Sequence, residues 1–136
     1  MEFAECVSFI LIHDSQVLLE KRRADKTFDP SLVMIPGGHV EDGESQLETL
    51  ARELQEELGV EALTAGYVCS LIHTAESASE SEVQRLHYYL VSDWQGEIQS
   101  FEAETVFWQP LAALDVLDID PDRIAIAEAQ RLYSLL

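Results

Sequence analysis

The sequence predicts a mixed α/β fold in a single domain of 136 residues. Three observations lead to this prediction. Short runs rich in apolar and β-branched residues recur along the chain, as expected of strands. Two segments, near residues 47–58 and 121–135, instead carry apolar residues at helical spacing. The length suits one domain, 1–136, with a substantial hydrophobic core, and neither a repeat nor a linker divides it.

The first part of the chain is predicted to form a β-hairpin that leads into a loop. Residues 3–13 predict a strand, and residues 17–23 predict its antiparallel partner after a turn at 14–16. Residues 24–31 carry the polar and Asp-Pro signals of a loop. The apolar run at 33–35 predicts another short strand.

A loop-helix-loop unit follows. Pro36-Gly37-Gly38 is expected to interrupt regular structure and to let the backbone approach a ligand closely. The acidic turn at 41–45 leads into a helix, whose N-terminal dipole favours acidic groups. Gly59 is a natural end for that helix. Its apolar stripe is predicted to comprise Leu47, Leu50, Ala51, Leu54 and Leu58.

The second half of the chain is predicted to add strands and a final helix. In chain order it contains a strand at 63–74, a mobile polar loop at 75–81, strands at 82–93 and 105–108, a short helix at 111–117 and a helix at 121–135. The final helix opens at Pro121, a residue well suited to a first helical position. Its candidate core contacts are Ile124, Ala127, Ala129 and Leu132.

Three glutamates share another face of the first helix. Glu53, Glu56 and Glu57 are spaced i, i+3 and i+4, so their carboxylates lie near one another. Clustered carboxylates repel each other, and a hard divalent cation such as Mg2+ or Mn2+ relieves that repulsion. The spacing alone leaves two interpretations open, a metal site and a solvated acidic face.

These glutamates belong to a longer pattern over residues 38–60. Gly38 is followed after five residues by Glu44, and after seven more by Arg52-Glu53-Leu54-Gln55-Glu56-Glu57-Leu58-Gly59-Val60. This resembles the Nudix box, G-x5-E-x7-R-E-U-x-E-E-x-G-U with U a bulky aliphatic residue, and every defined position matches. The resemblance implies a MutT-like Nudix hydrolase. Its expected fold is a mixed β-sheet sandwiched between α-helices, with a loop-helix-loop catalytic motif.

The resemblance also implies roles for the residues of the box. The predicted Mg2+ ligands, with Mn2+ as the alternative cation, are Gly37, Glu53, Glu56 and Glu57. Glu53 is also the candidate base that activates water. Arg52 would orient the catalytic glutamate, and Glu44 would fix the geometry of loop and helix. A structural salt bridge between Arg52 and Glu44 is the alternative, and it is compatible with these roles.

Four roles outside the box have candidate residues, three of them by the same resemblance and that of Phe28 from its place in the predicted loop. Arg23 would bind substrate phosphate, unless it is only a solvated charge at the end of a strand. Phe28 would stack on the base or form part of the cavity rim. Glu104, with Glu102 as the next choice, would supply one more metal ligand, unless both belong to the acidic surface. Asp122 would read a purine edge or simply complement the first turn of the last helix.

The expected activity is Mg2+-dependent hydrolysis of a phosphoanhydride bond in a nucleoside diphosphate-linked substrate. A MutT-like nucleoside triphosphate pyrophosphatase is the leading hypothesis. Hydrolysis of ADP-ribose, of a dinucleoside polyphosphate or of a nucleotide sugar is the alternative. A non-catalytic nucleotide sensor is an alternative of another class, but such domains usually lose a carboxylate or the arginine, and here the box is intact.

Composition limits the partners. The net charge of -18 argues against a nucleic-acid polymer and is compatible with a small nucleotide bound through metal ions and arginines. Cys6 and Cys69 show no metal or redox spacing and are expected to be reduced thiols. No signal peptide or membrane-length apolar run is visible, which predicts a cytoplasmic protein that binds no membrane. A homodimer is left open, because many Nudix hydrolases are dimers.

Overall fold

The computed structural model describes residues 2–133, so both ends of the predicted domain 1–136 and the predicted helix end at 135 lie outside the described residues. Within this range, a seven-stranded mixed sheet carries one α-helix on each face, as predicted. No helix among residues 2–133 is long and apolar enough to cross a membrane.

The elements follow the predicted order, with one additional strand. They are β1 (Ala4–His13), β2 (Gln16–Lys21), β3 (Val33–Met34), β4 (Gly37–His39), α1 (Gln46–Leu58), β5 (Glu61–Glu76), β6 (Ser81–Gln95), β7 (Thr105–Pro110), a 3-10 helix (Leu114–Val116) and α2 (Asp120–Tyr133). The predicted short helix at 111–117 is therefore this single 3-10 turn.

Strand β1 lies at the centre of the sheet. The main strand order is β3-β2-β1-β6-β5, with β4 paired to β1 and β7 paired to β2. Strand β1 runs parallel to β6 and antiparallel to β2 and β4. This arrangement brings β4, which leads into the loop before α1, directly against the middle of β1.

The alternation of side chains along β1 separates two cores. Val7, Phe9 and Leu11 point to the α1 side, where they pack with Leu54 and other residues of that helix. Cys6 and Ile10 point to the α2 side and pack in the second core. Alternate residues of β1 thus contribute to the two cores, and each core lies between the sheet and one of the two helices.

The glycines at 37 and 38 form a strand, contrary to the prediction that they interrupt regular structure. Gly37 pairs with Ser8, and Gly38 pairs with Val7. A Cβ atom on Gly37 would lie 2.2 Å from the carbonyl oxygen of Val7. The absence of side chains therefore permits a close strand pairing here rather than preventing one.

The predicted apolar stripe of α1 is only partly correct. Leu50, Leu54 and Leu58 are buried as predicted, but Leu47 is 59% exposed and Ala51 is exposed as well. The buried face is completed by Thr49, Glu53 and Glu57. The helix is thus turned so that two of its glutamates face the protein interior.

The predicted core contacts of α2 are largely wrong. Ala129 is buried, whereas Ile124 is 54% exposed, Leu132 is 45% exposed and Ala127 is exposed. The contacts with the sheet are made instead by Ala125, Ile126 and Ala129. Two of these three side chains are alanines, and Ile126 fills the space between helix and sheet.

Strand β5 is longer than predicted. It continues to Glu76, because Ala75 and Glu76 pair with Glu82 and Ser81 of β6, so the predicted loop at 75–81 is reduced to residues 77–80. Both cysteines are free, as expected, with Cys6 buried and Cys69 half-buried.

Candidate active site

Helix α1 begins and ends on local signals. The Ser45 hydroxyl accepts a hydrogen bond from the Glu48 amide at 3.1 Å, and the Glu48 carboxylate accepts one from the Ser45 amide at 2.8 Å. This capping box fixes the first turn. Gly59 ends the helix in a left-handed conformation with φ of 72°. The two caps fix where α1 starts and ends, and Glu53 and Glu57 lie on the face of this helix that is turned toward the sheet.

Arg52 ties the loop before α1 to the helix. Its Nε donates to Glu44 Oε2 at 2.7 Å, and its Nη2 donates to Glu44 Oε1 at 3.0 Å. Glu44 also accepts hydrogen bonds from the Glu41 amide and the Thr49 hydroxyl. The Arg52 hydrogen bonds are the main reason that the pKa of Glu44 is lowered to about 2.

The same guanidinium orients two of the glutamates. Arg52 Nη1 donates to Glu53 Oε1 at 2.8 Å and to Glu56 Oε2 at 3.1 Å. Its Nη2 also donates to the carbonyl oxygen of His39, at the end of β4. One side chain therefore connects the loop, the helix and β4, and its fork geometry makes this possible.

Strand β4 leaves room for Glu53. A Cβ atom on Gly38 would lie 2.2 Å from Cδ of Glu53 and 2.4 Å from both of its carboxylate oxygens. Glu53 is 8% exposed and packs directly over this glycine. Gly38 is thus needed for the position of the carboxylate and not for an unusual backbone conformation.

A cavity of about 360 Å³ opens beside these residues. Gly37, Glu53 and Glu57 line it, together with Glu20 from β2 and Glu102 from the segment before β7. Other lining residues are Cys6, Ser8, Arg22, Lys26, Thr27, Phe28, Asp29, Met34, Ile35, Gly38, His39, Glu41, Gln84 and Leu86. The cavity is thus lined by carboxylates on one hand and by apolar and aromatic side chains on the other.

Glu57 is electrostatically unsatisfied. Its Oε2 is buried and has no hydrogen-bond partner within residues 2–133. Burial, followed by the charges of Glu20, Glu53 and Glu102, raises the pKa of Glu57 well above its usual value. Burial also raises the pKa of Glu53, and it raises that of Glu20 to about 7. A cation would remove this repulsion and satisfy the orphan oxygen.

The described residues do not form a ready metal cage. No group of three or more His, Cys, Asp or Glu side chains within 2–133 is gathered closely enough to hold an ion. Glu56 does not line the cavity, and its side chain is 47% exposed. The Arg52 hydrogen bonds currently hold Glu53 and Glu56, so ligation by both would require these side chains to turn.

Two of the predicted residues lie away from this cavity. Arg23 is exposed and forms a two-pronged ion pair with Asp25, with both hydrogen bonds at 3.0 Å. Glu104 shares a separate depression with Arg23 and Asp25. Strand β2 ends at Lys21, and the chain then turns so that Arg22 faces the cavity and Arg23 faces outward. Of the two acidic residues considered, the structure brings Glu102 to the cavity and not Glu104.

Phe28 lines the cavity as part of the loop between β2 and β3. Arg22 stabilises this loop, because its Nη2 donates to the Phe28 carbonyl at 2.8 Å and its Nε donates to the Asp29 carbonyl at 3.1 Å. The aromatic ring is therefore carried by a segment with defined backbone contacts.

Asp122 is buried in the first turn of α2 and does not line the cavity. Its Oδ2 accepts a hydrogen bond from the Ile35 amide at 2.9 Å, and its Oδ1 accepts one from the Tyr88 hydroxyl at 2.6 Å. Burial raises its pKa to about 6. Asp122 connects α2 to the cavity wall at Ile35, and contact with a base would require its carboxylate to leave these partners.

Sequence reasoning did not identify Glu20 and Lys26, two of the charged residues that line the cavity. Glu20 is 5% exposed and points to the α1 side of β2, as Leu18 does. A signal existed, because a charged residue at a core-facing position of an apolar strand is unusual. Lys26 lies in a polar loop, and nothing in its local sequence distinguishes it from a solvated charge.

This fold, with a carboxylate-lined cavity beside a capped loop-helix-loop unit, defines a hydrolase of a known class. The chain belongs to the Nudix family, as a MutT-like member, and the NUDIX domain model matches residues 3–130. The predicted family and fold are therefore confirmed.

Two relatives that are named as enzymes match over most of their length. The chain is 36% identical over 124 residues to the CTP pyrophosphohydrolase of Escherichia coli strain K12, covering 85% of this chain and 88% of that protein. It is 33% identical over 121 residues to the 8-oxo-dGTP diphosphatase of Haemophilus influenzae, covering 89% and 82%. The crystal structure of a MutT NUDIX hydrolase from Burkholderia pseudomallei matches with a TM-score of 0.81 at 25% identity, covering 94% of this chain and 98% of that one.

Proposed function

We propose that this Nudix hydrolase is a Mg2+-dependent nucleoside triphosphate pyrophosphatase that releases a nucleoside monophosphate and pyrophosphate. The observation that carries the proposal is the buried, unpartnered Glu57 Oε2 in a cavity shared with Glu20, Glu53 and Glu102. Such a group of carboxylates favours a hard cation, and a cation is what a polyphosphate needs for neutralisation. The relatives named for CTP and 8-oxo-dGTP support a triphosphate substrate.

The cation would be held by Glu53, Glu56 and Glu57 with help from the Gly37 carbonyl. Glu102 lines the same cavity and replaces Glu104 in this proposal as the carboxylate from outside the box. Bound Mg2+, or Mn2+ in its place, would neutralise phosphate charge and orient the phosphoanhydride.

The protein's own groups would orient the reacting atoms. Glu53 is the proposed base, because its burial raises its pKa and an Arg52 hydrogen bond fixes one of its oxygens. Arg52 and Glu44 would keep α1 and its preceding loop in register during the reaction. Phe28 would stack on the base at the cavity wall. Phosphate binding by Arg23 and base reading by Asp122 stay predictions.

A substrate panel tests this proposal. Ordinary and oxidised nucleoside triphosphates, ADP-ribose, dinucleoside polyphosphates and nucleotide sugars are incubated with Mg2+ or Mn2+, and phosphate and pyrophosphate are detected separately. Pyrophosphate from a triphosphate is the expected product. The substitution Glu57→Gln should remove most metal-dependent turnover in a folded protein. Cleavage of diphosphates alone would overturn the triphosphate proposal, and unchanged turnover by Glu57→Gln would overturn the metal assignment.

The remaining partner proposals follow from the same chemistry. The partner is a small nucleotide and not a nucleic-acid polymer, since the net charge of -18 repels a polyanion. A cytoplasmic location and a homodimer stay predictions.

A further inference from the structure

The basic side chains differ in how fully they are paired. Within residues 2–133, each arginine takes part in an ion pair, and neither lysine does. Of the two lysines, Lys26 lines the cavity and Lys21 does not. Lys26 is half-buried, which places an unpaired cation in the wall of the site described above.

The charge of Lys26 acts on the carboxylates of the cavity. Burial raises the pKa of Glu57, and the Lys26 ammonium opposes that rise. The pKa of Glu20 is raised in the same way, and both Arg22 and Lys26 oppose it. Lys26, Glu20 and Glu57 line the same cavity, so the ammonium is available to a phosphate that a metal ion would hold there.

The neighbouring arginines have other partners. Arg22 donates from Nε and Nη2 to two loop carbonyls, and its Nη1 lies 3.5 Å from Glu20. Arg23 points outward to Asp25. Either guanidinium would have to give up existing contacts before it could bind phosphate, whereas Lys26 would not.

The loop that carries Lys26 is fixed to the sheet. The Asp29 amide donates to the Glu76 carbonyl at 2.8 Å, and Asp29 Oδ1 accepts from the Glu76 amide at 3.0 Å. Asp29 Oδ2 lies 2.7 Å from His73 Nε2. These contacts hold the loop at the end of β5, so the loop backbone beside the cavity is already ordered before a ligand binds.

We propose that Lys26 is a substrate-binding residue that contacts phosphoryl oxygens of the polyphosphate, the role predicted from the sequence for Arg23. An ammonium on a flexible stem suits this task, because it can follow a phosphate group as a point charge. The inference rests on the proposed function only for the identity of the anion.

The test compares Lys26→Met, Lys26→Arg and the matched control Lys21→Met. Inorganic pyrophosphate is the probe, and its binding in the presence of Mg2+ is measured by calorimetry, which requires no turnover. Lys26→Met should weaken binding about tenfold or more. Lys26→Arg should restore most of it, and Lys21→Met should bind as the wild type does. With a triphosphate substrate, Lys26→Met should raise KM by a similar factor and change kcat much less. Thermal melting confirms that each variant is folded.

The outcomes separate this inference from the proposed function. Equal pyrophosphate binding by Lys26→Met and the wild type would overturn the role of Lys26, even if triphosphates are hydrolysed. Equal weakening by both methionine variants would also overturn it, since only net charge would matter. If the wild type cleaves no triphosphate but Lys26→Met alone loses pyrophosphate binding, the Lys26 assignment stands and the triphosphate proposal fails.

Discussion

At the scale of single residues, the environment of Glu57 is unfavourable for stability, and its proposed role in metal binding would explain why. Its buried carboxylate has an oxygen without a hydrogen-bond partner, and neighbouring glutamates repel it. At pH 8 without metal, Glu57→Gln should therefore raise the free energy of unfolding by about 1–3 kcal/mol. Urea denaturation in the presence of a chelator measures this change. The same variant is expected to lose metal-dependent turnover.

Glu56→Gln is the matched control for this stability effect. The Glu56 side chain is 47% exposed, so water already solvates its charge, and its substitution should change stability little. A metal-free Glu57→Gln protein that is less stable than the wild type would contradict the account of an unsatisfied carboxylate.

The sequence was most informative about site residues whose positions depend on local geometry. Helical spacing alone brings Glu53 and Glu57 to the same side of α1, so their joint appearance in the cavity could be expected. Glu20 and Lys26 enter the cavity through the pairing of β2 and the contacts of a loop with β5. Such contacts are far apart in the chain, and no local pattern encodes them.

At the scale of elements, β4 offers a contrast between two adjacent glycines. Gly37→Ala would place a Cβ atom 2.2 Å from the Val7 carbonyl oxygen, which is backbone and cannot yield easily. This variant should lose about 2–3 kcal/mol of stability. Gly38→Ala would instead meet the end of the Glu53 side chain, which can turn away. It should remain nearly as stable as the wild type and lose about 100-fold in kcat.

Chemical denaturation and steady-state kinetics on both variants measure the contrast. The substitutions are the same and lie one residue apart, so each variant is the control for the other. If Gly38→Ala retained full turnover, the position of Glu53 over this glycine would have no catalytic importance. If Gly37→Ala were fully stable, the close pairing of β4 with β1 would be wrong.

The elements also differ in how well the sequence predicted them, because some are fixed by local signals and others by contacts that are distant in the chain. The acidic turn at 41–45 and Gly59 are local signals, and they marked the ends of α1 correctly. Strand β4 has three residues, two of them glycines, and exists only because β1 lies beside it. The exposed Ile124 and the buried Ala125 likewise show that the rotation of α2 is decided by close packing on the sheet and not by hydrophobicity alone.

At the scale of the whole molecule, the acidic composition and the buried carboxylates both destabilise the folded protein through charge repulsion. A net charge of -18 makes the folded chain repel itself, and part of that charge lies inside the cavity. Binding of divalent cations would relieve both effects, the general one by screening and the local one by ligation.

The metal-free protein should therefore become more stable on mild acidification. Glu20 and Asp122 have pKa values raised from 4.5 to about 7 and from 3.8 to about 6, and burial also raises those of Glu53 and Glu57. A carboxyl group with a raised pKa contributes stability that is full below its unfolded value and is lost as pH rises through its folded value. As the pH falls from 7.5 to 5.5, the Tm of the metal-free protein should thus rise by at least about 4 °C. Below pH 4 it should fall, because Glu44 takes up a proton at its usual pKa of 4.5 in the unfolded chain, whereas in the folded protein the ion pair with Arg52 lowers that pKa to about 2.

Calorimetry at high NaCl concentration isolates the buried part of this effect, since salt screens the surface charges and affects buried groups much less. Glu20→Gln should reduce the rise in Tm on acidification, because the amide does not titrate, while Glu56→Gln should leave that rise unchanged.

Saturating Mg2+ at pH 7.5 should also raise Tm, and this gain should shrink as pH falls, because protons and the cation compete for the same carboxylates. A metal-free Tm that falls steadily from pH 7.5 to 5.5 would mean that the buried carboxylates are already satisfied, and the case for a cation in this cavity would lose its physical basis.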